Sequence, residues 1–347
     1  MFKGIGEEIM KFKKLATLSL SVIMSASMLV GCSSSETKES TNKTIKVGMV
    51  ADMGGINDES FNQSAWEGLQ QAEKDLGIEI KVIESKQASE YIPNMESLLD
   101  EDADMVIGVG YAMKEDIQKQ AENYPDKQFV LIDETYDTIP ENVTPILFRE
   151  NEAAYLTGLI AGKMTKTNNV GFIGGIQTPV VSRFEYGYKA GVKEANDKTN
   201  VNVQYAGTFS DAAKGKSIAN QMYGNGSDII LSAAGGTGLG AIESAKEQNK
   251  YAIGVDRDQS DLAPENVLTS ALKKVNVGVY DTVKEFVEGK LKGGQEKVYG
   301  LKEDGVGIPE TTKNLVPQNV IDYVNSMIEK IKSGEVKVPD TESELNA

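Results

Sequence analysis

An internal repeat is the feature that most constrains how this chain of 347 residues can fold. The segment Val47–Gly68 has the pattern of a strand, a glycine-bearing loop and a helix, and it aligns with a segment 123 residues further on. The matching pairs are Val47-Gly48 with Val170-Gly171, Phe61 with Phe184, Gly68 with Gly191, Lys127 with Lys250 and Asp133 with Asp256. A shared offset over several elements predicts two lobes of the same topology, each with a Phe and an Asp at matching places. The alternative is that the matches do not reflect a repeat, because all βαβ units resemble one another.

Strand and helix patterns alternate after residue 44. Short runs rich in β-branched residues, such as Ile45–Val50 and Val170–Ile173, are separated by longer helical segments. This alternation favours parallel sheets covered by helices, so we predict an α/β protein with two lobes and a hinge between them. Lobe one is predicted at 45–147 plus about 258–290, lobe two at 148–257 plus about 291–338, and a polar tail at 339–347.

The first residues have the pattern of a bacterial export signal. Lys11, Lys13 and Lys14 precede an apolar run, Leu15–Val30, which is short for a mature transmembrane helix. The run ends in Leu-Val-Gly before Cys32, which resembles a lipobox. We therefore predict a signal peptide at 1–31, a lipid (palmitate) on Cys32 and a polar tether at 32–44. The alternative is a plain signal sequence that contains a cysteine.

Composition excludes several classes of function. The net charge of −16 at pH 7 argues against nucleic acid as a partner and against direct attraction to anionic lipid, so membrane attachment is expected through Cys32 alone. A single cysteine rules out an intrachain disulfide, and the absence of histidine removes the commonest general base and metal ligand. We expect a monomer that is not an enzyme and uses no cofactor or metal.

Carboxylates and aromatic rings are predicted to meet between the lobes. Asp52, Asp133 and Asp256 each follow a predicted strand, and open α/β sheets bind ligands beyond the carboxyl ends of their strands. If the lobes face each other, Phe61 and Phe184 can sandwich a flat ligand while the carboxylates accept its polar hydrogens. This combination favours a neutral polar ligand such as a nucleoside. The alternatives are that the two Phe side chains belong to the core and that the Asp side chains cap turns or helices.

A glycine motif offers a competing interpretation. Gly236–Ala241 fits the dinucleotide-binding pattern G-x-G-x-x-[GA], and Asp256 lies 20 residues after its start. However, the motif follows the third predicted strand of its lobe instead of the first, and an exported protein meets no cytoplasmic nicotinamide pool. We expect the loop to offer backbone N–H groups to the ligand or to let the lobes approach each other.

Several longer motifs resemble the basic membrane protein (BMP) family of substrate-binding lipoproteins. They are G-G-I-N-D-x-S-F-N at Gly54–Asn62, FRENEAAYLTGLIAG at Phe148–Gly162, Val170–Gly191, GTFSDAAKGK at Gly207–Lys216, Ala234–Gly238 and Gly254–Asp256. The resemblance runs from about residue 45 to 339. It implies the two-lobed type I periplasmic-binding-protein fold and delivery of a ligand, here a purine nucleoside, to an ABC-type permease with its ATPase.

The same resemblance implies roles for individual residues. Phe61 would stack on the base, Asp133 and Asp256 would contact base or ribose, and Asp52, the Gly235 loop and Lys273 would complete the site. Lys273 taken alone reads as a solvated side chain. Phe184 is supported mainly by the internal repeat. Two alternatives stay open: a receptor for another solute, such as riboflavin or a sugar, and a signalling or adhesive surface lipoprotein.

Overall fold

The computed structural model describes residues 44–347. The predicted signal peptide, Cys32 and nearly all of the predicted tether lie outside the described residues. Among these residues, the structure has no helix that combines the length and the hydropathy of a membrane span.

The first part of the described chain alternates strands and helices and builds lobe one. Its elements are β1 (Lys46–Ala51), α1 (Phe61–Leu76), β2 (Glu79–Glu84), α2 (Tyr91–Asp100), β3 (Met105–Val109), α3 (Lys114–Asn123), β4 (Gln128–Ile132) and β5 (Val143–Phe148). The strands β3 and β4 are buried almost throughout, as expected for a sheet covered on both faces.

The second part repeats this order and builds lobe two. Its elements are α4 (Glu150–Met164), β6 (Asn169–Gly174), α5 (Pro179–Ala195), β7 (Asn200–Tyr205), α6 (Ala212–Gly224), β8 (Ile229–Ala233), α7 (Gly236–Gln248), β9 (Tyr251–Asp256) and β10 (Val267–Lys273). The remaining elements are α8 (Val275–Val287), β11 (Lys297–Tyr299), β12 (Val306–Gly307), α9 (Gln318–Ser333) and α10 (Glu342–Leu345).

The strands form two sheets of equivalent order. One sheet has the order β11-β5-β4-β3-β1-β2 and the other β12-β10-β9-β8-β6-β7. The pairs are parallel except that of β12 with β10. The predicted α/β fold with two lobes of the same topology is therefore confirmed.

The C-terminal segments that complete the two lobes are assigned to them differently from the predicted boundaries. β10 lies within the predicted return segment 258–290 of lobe one, but it pairs with β9 in the sheet of lobe two. β11 lies within the predicted segment 291–338 of lobe two, but it pairs with β5 in the sheet of lobe one. Helix α8 belongs to lobe one, because it packs on α1. The two helices are so close that a Cβ at Gly68 would lie 2.4 Å from the carbonyl oxygen of Asn276. Which sheet a strand joins depends on its pairing with another strand, and the local pattern of either strand does not encode that pairing.

Helices α4 and α5 pack tightly and orient the lobe-two wall of the cleft. A Cβ at Gly187 would lie 2.1 Å from the carbonyl oxygen of Asn151, and a Cβ at Gly191 would lie 2.1 Å from that of Tyr155. Only glycine permits this backbone approach. The close packing fixes the direction in which α5 presents its first turns to the cleft.

Candidate functional site

A cavity lies between the lobes, at the carboxyl ends of the central strands. It contains about 660 Å³ of empty space, part of which is open to solvent. All seven predicted ligand-binding residues line it: Asp52, Phe61, Asp133, Phe184, Gly235, Asp256 and Lys273. The other lining residues are Gly54, Asp58, Asn62, Gly110, Tyr111, Thr178, Val180, Val181, Phe209, Ala233, Ala234 and Val255.

Two carboxylates organise the lobe-one wall between β1 and α1. Asp58 accepts hydrogen bonds from the backbone N–H groups of Ser60 (3.0 Å), Asn62 (2.9 Å) and Gln63 (3.1 Å). It thereby satisfies donors at the start of α1 that have no partner within the helix. The side-chain amide of Asn62 donates to Oδ1 of Asp52 at 2.8 Å and to Oδ2 of Asp58 at 3.1 Å. Burial raises the pKa of Asp52, and hydrogen bonds from Gly54 and Asn62 partly offset this effect.

Asp133 and Asp256 occupy equivalent places in the two lobes. Asp133 follows β4 with φ +69°, and Asp256 ends β9 with φ +63°. Aspartate tolerates this left-handed backbone better than most residues, and the turn directs each side chain away from its strand. Both are nearly buried.

Lys273 joins the two carboxylates. It ends β10 in lobe two, is 3% exposed, and donates a short hydrogen bond to Oδ2 of Asp133 in lobe one. Its ammonium nitrogen lies 3.8 Å from Oδ1 of Asp256. Burial is the largest influence on the pKa of Lys273 and would lower it, but Asp133, Asp256 and Glu150 together raise it above its ordinary value. The lysine is therefore charged and partly neutralises the acidic cavity.

Asp256 is also held from lobe one. The hydroxyl of Ser60 donates to Oδ2 of Asp256 at 2.5 Å. Burial raises the pKa of Asp256 to about 6, against the opposing effects of Lys273 and Ser60. Oδ1 of Asp133 is buried and has no hydrogen-bond partner among residues 44–347. The site thus holds an acceptor that the described protein leaves unused.

Aromatic rings surround the ammonium group. Nζ of Lys273 lies 4.3 Å from the ring centroid of Phe61, 5.8 Å from that of Phe148 and 5.9 Å from that of Phe184. Such distances allow cation–π attraction. Phe61 is half-buried, whereas Phe184 is 3% exposed and packs mostly within lobe two.

Sequence reasoning did not identify Phe209 as a site residue. Its ring lines the cavity and lies so close to Gly175 that a Cβ there would be 2.2 Å from the ring. Gly235, with φ +54°, brings the chain into α7 beside it. Phe209 falls within the motif GTFSDAAKGK, so its position in a family motif was the available signal.

The glycines of the Gly236–Ala241 motif support helix packing. A Cβ at Gly240 would lie 1.8 Å from the carbonyl oxygen of Ala212 on α6, and one at Gly238 would lie 2.9 Å from the hydroxyl of Ser232. The motif follows β8, the third strand along the chain in lobe two. These contacts account for the glycine spacing without a bound dinucleotide.

A buried ion pair behind the cavity was also missed. Glu150 is fully buried at the start of α4 and accepts a 2.6 Å hydrogen bond from Nε of Arg183. Burial raises the pKa of Glu150 to about 7, while Arg183 acts to lower it and Asp133 to raise it further. Arg183 belongs to the quoted family segment Val170–Gly191, but no local pattern indicates its partner.

The cavity offers hydrogen-bond acceptors, ring faces and one paired cation. Among the residues that the structure describes, no group of three or more Asp, Glu, His or Cys side chains is arranged to hold a metal ion. This set of groups is suited to binding a ligand through stacking and through its polar hydrogens.

Comparison with known proteins agrees with this geometry. Residues 45–342 match the family model described as ABC transporter substrate-binding protein PnrA-like. The chain is 37% identical to a Lactococcus lactis subsp. cremoris protein named ABC transporter nucleoside-binding protein BmpA, over 94% of this chain and 99% of that one. It is 39% identical to Basic membrane protein D of Borreliella burgdorferi, over 90% and 92% of the two chains.

A solved structure supports the fold independently. The crystal structure of an ABC transporter system solute-binding protein from Aeropyrum pernix K1 has a TM-score of 0.79 and 27% identity, covering 87% of this chain and 95% of that one. The predicted periplasmic-binding-protein fold is thus confirmed. The protein binds a small solute outside the cytoplasm for an ABC permease and is not an enzyme. The chain belongs to the family of PnrA-like ABC transporter substrate-binding proteins.

Proposed function

We propose that this protein is a lipid-anchored receptor that binds a purine nucleoside in the cavity between its lobes and presents it to an ABC permease with its ATPase. The observation that carries the proposal is one cavity that combines aromatic rings from both lobes with carboxylates from both lobes. Stacking and acceptor groups together match the two halves of a nucleoside, which are a flat base and a sugar with hydroxyl donors.

The base would lie against Phe61. This ring is half-buried and lines the cavity from lobe one, while Phe184 and Phe209 line it from lobe two. Stacking of a base on an aromatic ring contributes about 1–3 kcal/mol and requires only a π-face. Phe209 is a stronger candidate for the second ring than Phe184. The Phe184 side chain is only 3% exposed, because it is packed within its own lobe.

The polar hydrogens of the ligand would bind the carboxylates. Oδ1 of Asp133 has no partner within residues 44–347, and a buried acceptor without a donor is costly. Asp256 and Asp52 line the same cavity. Ribose hydroxyls and base N–H groups are donors of the required kind. A phosphate would be repelled by these carboxylates, and the nearest cation, Lys273, is already paired.

The Lactococcus lactis relative, which is named a nucleoside-binding protein, supports the same ligand class. Attachment to the membrane would come from a lipid on Cys32, followed by the tether at 32–44.

We further propose that the protein acts as a monomer, since each lobe supplies one wall of a single site and the cavity is complete within one chain.

Two measurements test this function. Mass spectrometry of ligand retained after gentle purification should find a purine nucleoside. Calorimetric titration should detect binding of adenosine, guanosine or inosine, but not of free ribose or riboflavin. Retention and binding of riboflavin or a sugar, with no response to the three nucleosides, would replace the proposed ligand by another solute. Absence of binding to any of these compounds would favour a signalling or adhesive lipoprotein.

A further inference from the structure

A second set of contacts joins the lobes at the rim of the cleft. Arg257, in lobe two, places Nη1 2.8 Å from a carboxylate oxygen of Glu59 and Nη2 2.8 Å from one of Glu67. Both glutamates belong to lobe one, in the loop before α1 and on α1 itself. The side-chain amide of Gln259 donates to the carbonyl oxygen of Glu59 at 2.8 Å. We call Arg257, Glu59, Glu67 and Gln259 the rim clasp.

The rim clasp lies outside the binding cavity. None of its four residues lines the cavity, although Asp256, the neighbour of Arg257, does. The turn after β9 explains this division, because the backbone N–H of Arg257 bonds to the carbonyl oxygen of Val255 at 2.7 Å. The same turn therefore directs Asp256 into the cavity and Arg257 to the opposing lobe.

The contacts of the rim clasp exist only when the lobes meet. Moving lobe two away from lobe one separates one cation from two carboxylates and breaks the Gln259 hydrogen bond. A contact made in one conformation and absent from the other shifts the equilibrium toward the first. The glutamates remain 45% and 40% exposed, so each pair contributes modestly and is weakened by salt.

We propose that Arg257 is a positioning residue that stabilises the closed form and slows ligand release without touching the ligand. This inference rests on the proposed function for the identity of the ligand. It adds a residue whose effect on affinity is exerted through lobe closure. Breaking two exposed ion pairs predicts dissociation about three- to tenfold faster in Arg257→Gln.

The chain contains a matched control. Lys216 bridges Glu243 and Glu247 at 2.9 Å each, in the same arrangement of one cation and two carboxylates. This cluster joins α6 to α7 within lobe two, so Lys216→Gln removes an equivalent charge without affecting contacts between lobes. The Lys216 cluster also shows that a lysine can bridge two glutamates. Arg257→Lys should therefore release ligand at a rate between those of Arg257→Gln and wild type.

The experiment measures dissociation of adenosine, guanosine and inosine by stopped-flow fluorescence in wild type, Arg257→Gln, Arg257→Lys and Lys216→Gln. We expect faster release only in the Arg257 variants, with a smaller increase in rate for Arg257→Lys than for Arg257→Gln. The melting temperature of ligand-free Arg257→Gln should be close to that of Lys216→Gln. The wild-type rate should rise with NaCl more steeply than the Arg257→Gln rate. Equal release rates in wild type and Arg257→Gln would overturn the proposal.

A measurement without ligand separates failure of this inference from failure of the proposed function. Spin labels at the exposed positions Asp100 and Lys246, introduced as Asp100→Cys and Lys246→Cys in a Cys32→Ser background, report the distance between the lobes. Arg257→Gln should shift the ligand-free distribution to longer distances than Lys216→Gln. If no nucleoside binds wild type, the proposed ligand is wrong, and an unchanged distribution in Arg257→Gln then rejects the rim clasp as well.

Discussion

The hydroxyl of Ser60 donates a 2.5 Å hydrogen bond to Oδ2 of Asp256 and so connects the start of α1 in lobe one to the end of β9 in lobe two. Ser60 is free to do so because Asp58 accepts from the first backbone N–H groups of α1, and the Ser60 side chain makes no capping bond. Asp256 is therefore oriented by the opposite lobe, and its role in ligand binding depends on closure.

Asp256 is expected to contribute directly to affinity. Asp256→Ala removes charge-assisted hydrogen bonds of about 1.5–3 kcal/mol, which is a loss of roughly ten- to a hundredfold in nucleoside affinity. Calorimetric titration measures the loss. Asp258→Ala is the control, since Asp258 is an exposed neighbour that does not line the cavity. Wild-type affinity in a chain lacking both Asp256 and Asp133 would contradict the proposed site.

Phe61 is expected to stack on the ligand. Phe61→Ala should weaken nucleoside binding by about 1–3 kcal/mol, while Phe61→Tyr should be nearly neutral because a ring face remains. Phe286→Ala provides the comparison, because Phe286 is also half-buried but lies on α8, away from the cavity. Titration and thermal melts on the same preparations distinguish the roles: a large drop in melting temperature with normal affinity would assign Phe61 to the core.

Trp66 is expected to report ligand binding. It lies on α1, five residues after Phe61 and beside Glu67 of the rim clasp, and it is partly buried. A purine nucleoside should change its fluorescence, since closure alters the surroundings of α1, while ribose and free amino acids should not. A fluorescence titration with each compound measures this response. An identical response to ribose would show that the signal does not depend on the base.

Binding is expected to weaken in mild acid. Burial raises the pKa of Asp256 to about 6, above its ordinary value of 3.8, so this carboxylate takes up a proton as the pH falls through 6. The protonated group is no longer a charge-assisted acceptor, and affinity that is full above pH 6 should fall by up to tenfold per pH unit below it. Titrations at pH 5 and 7.5 measure the effect. Asp256→Asn should lose most of the difference between them, and an undiminished difference would assign the pH dependence to another group.

The lipid anchor is tested separately from the fold. Cys32→Ser should leave an unlipidated precursor or a released form, because lipidation requires the thiol. Fractionation and labelling with a radioactive fatty acid compare wild type with the variant. Wild-type protein that carries no lipid and stays in the cytosol would refute the export prediction.

The sequence predicted the architecture and the main contributors to the cavity. The repeat identified two lobes of equal topology, since strand and helix periodicity are local properties of the chain. Asp52, Asp133 and Asp256 were predicted at strand ends, and parallel strands bring such ends to one edge of a sheet. Gly235 lies in a quoted family motif, whereas Lys273 was implied only by the family resemblance as a whole, and no local pattern of its own indicated either residue.

Other site features could not be read from local patterns. Asp58 and Asn62 lie inside a quoted motif, but their contacts with each other and with Asp52 depend on the fold of the loop before α1. The Glu150–Arg183 pair joins residues 33 apart on adjacent helices. A charged residue in a helix is usually solvated, so neither one signals burial by itself.

The sequence by itself determined the two predominantly parallel sheets, the helices that cover them and the acidic ends of their strands, because backbone hydrogen bonding and apolar periodicity act over short distances. Only the tertiary structure decided that β10 belongs to lobe two, that Ser60 meets Asp256 and that Arg257 meets Glu59. The latter two contacts join residues separated by 196 and 198 positions. Such pairs form only when two separately built lobes meet in a particular orientation, and that orientation depends on the hinge and on packing across the cleft.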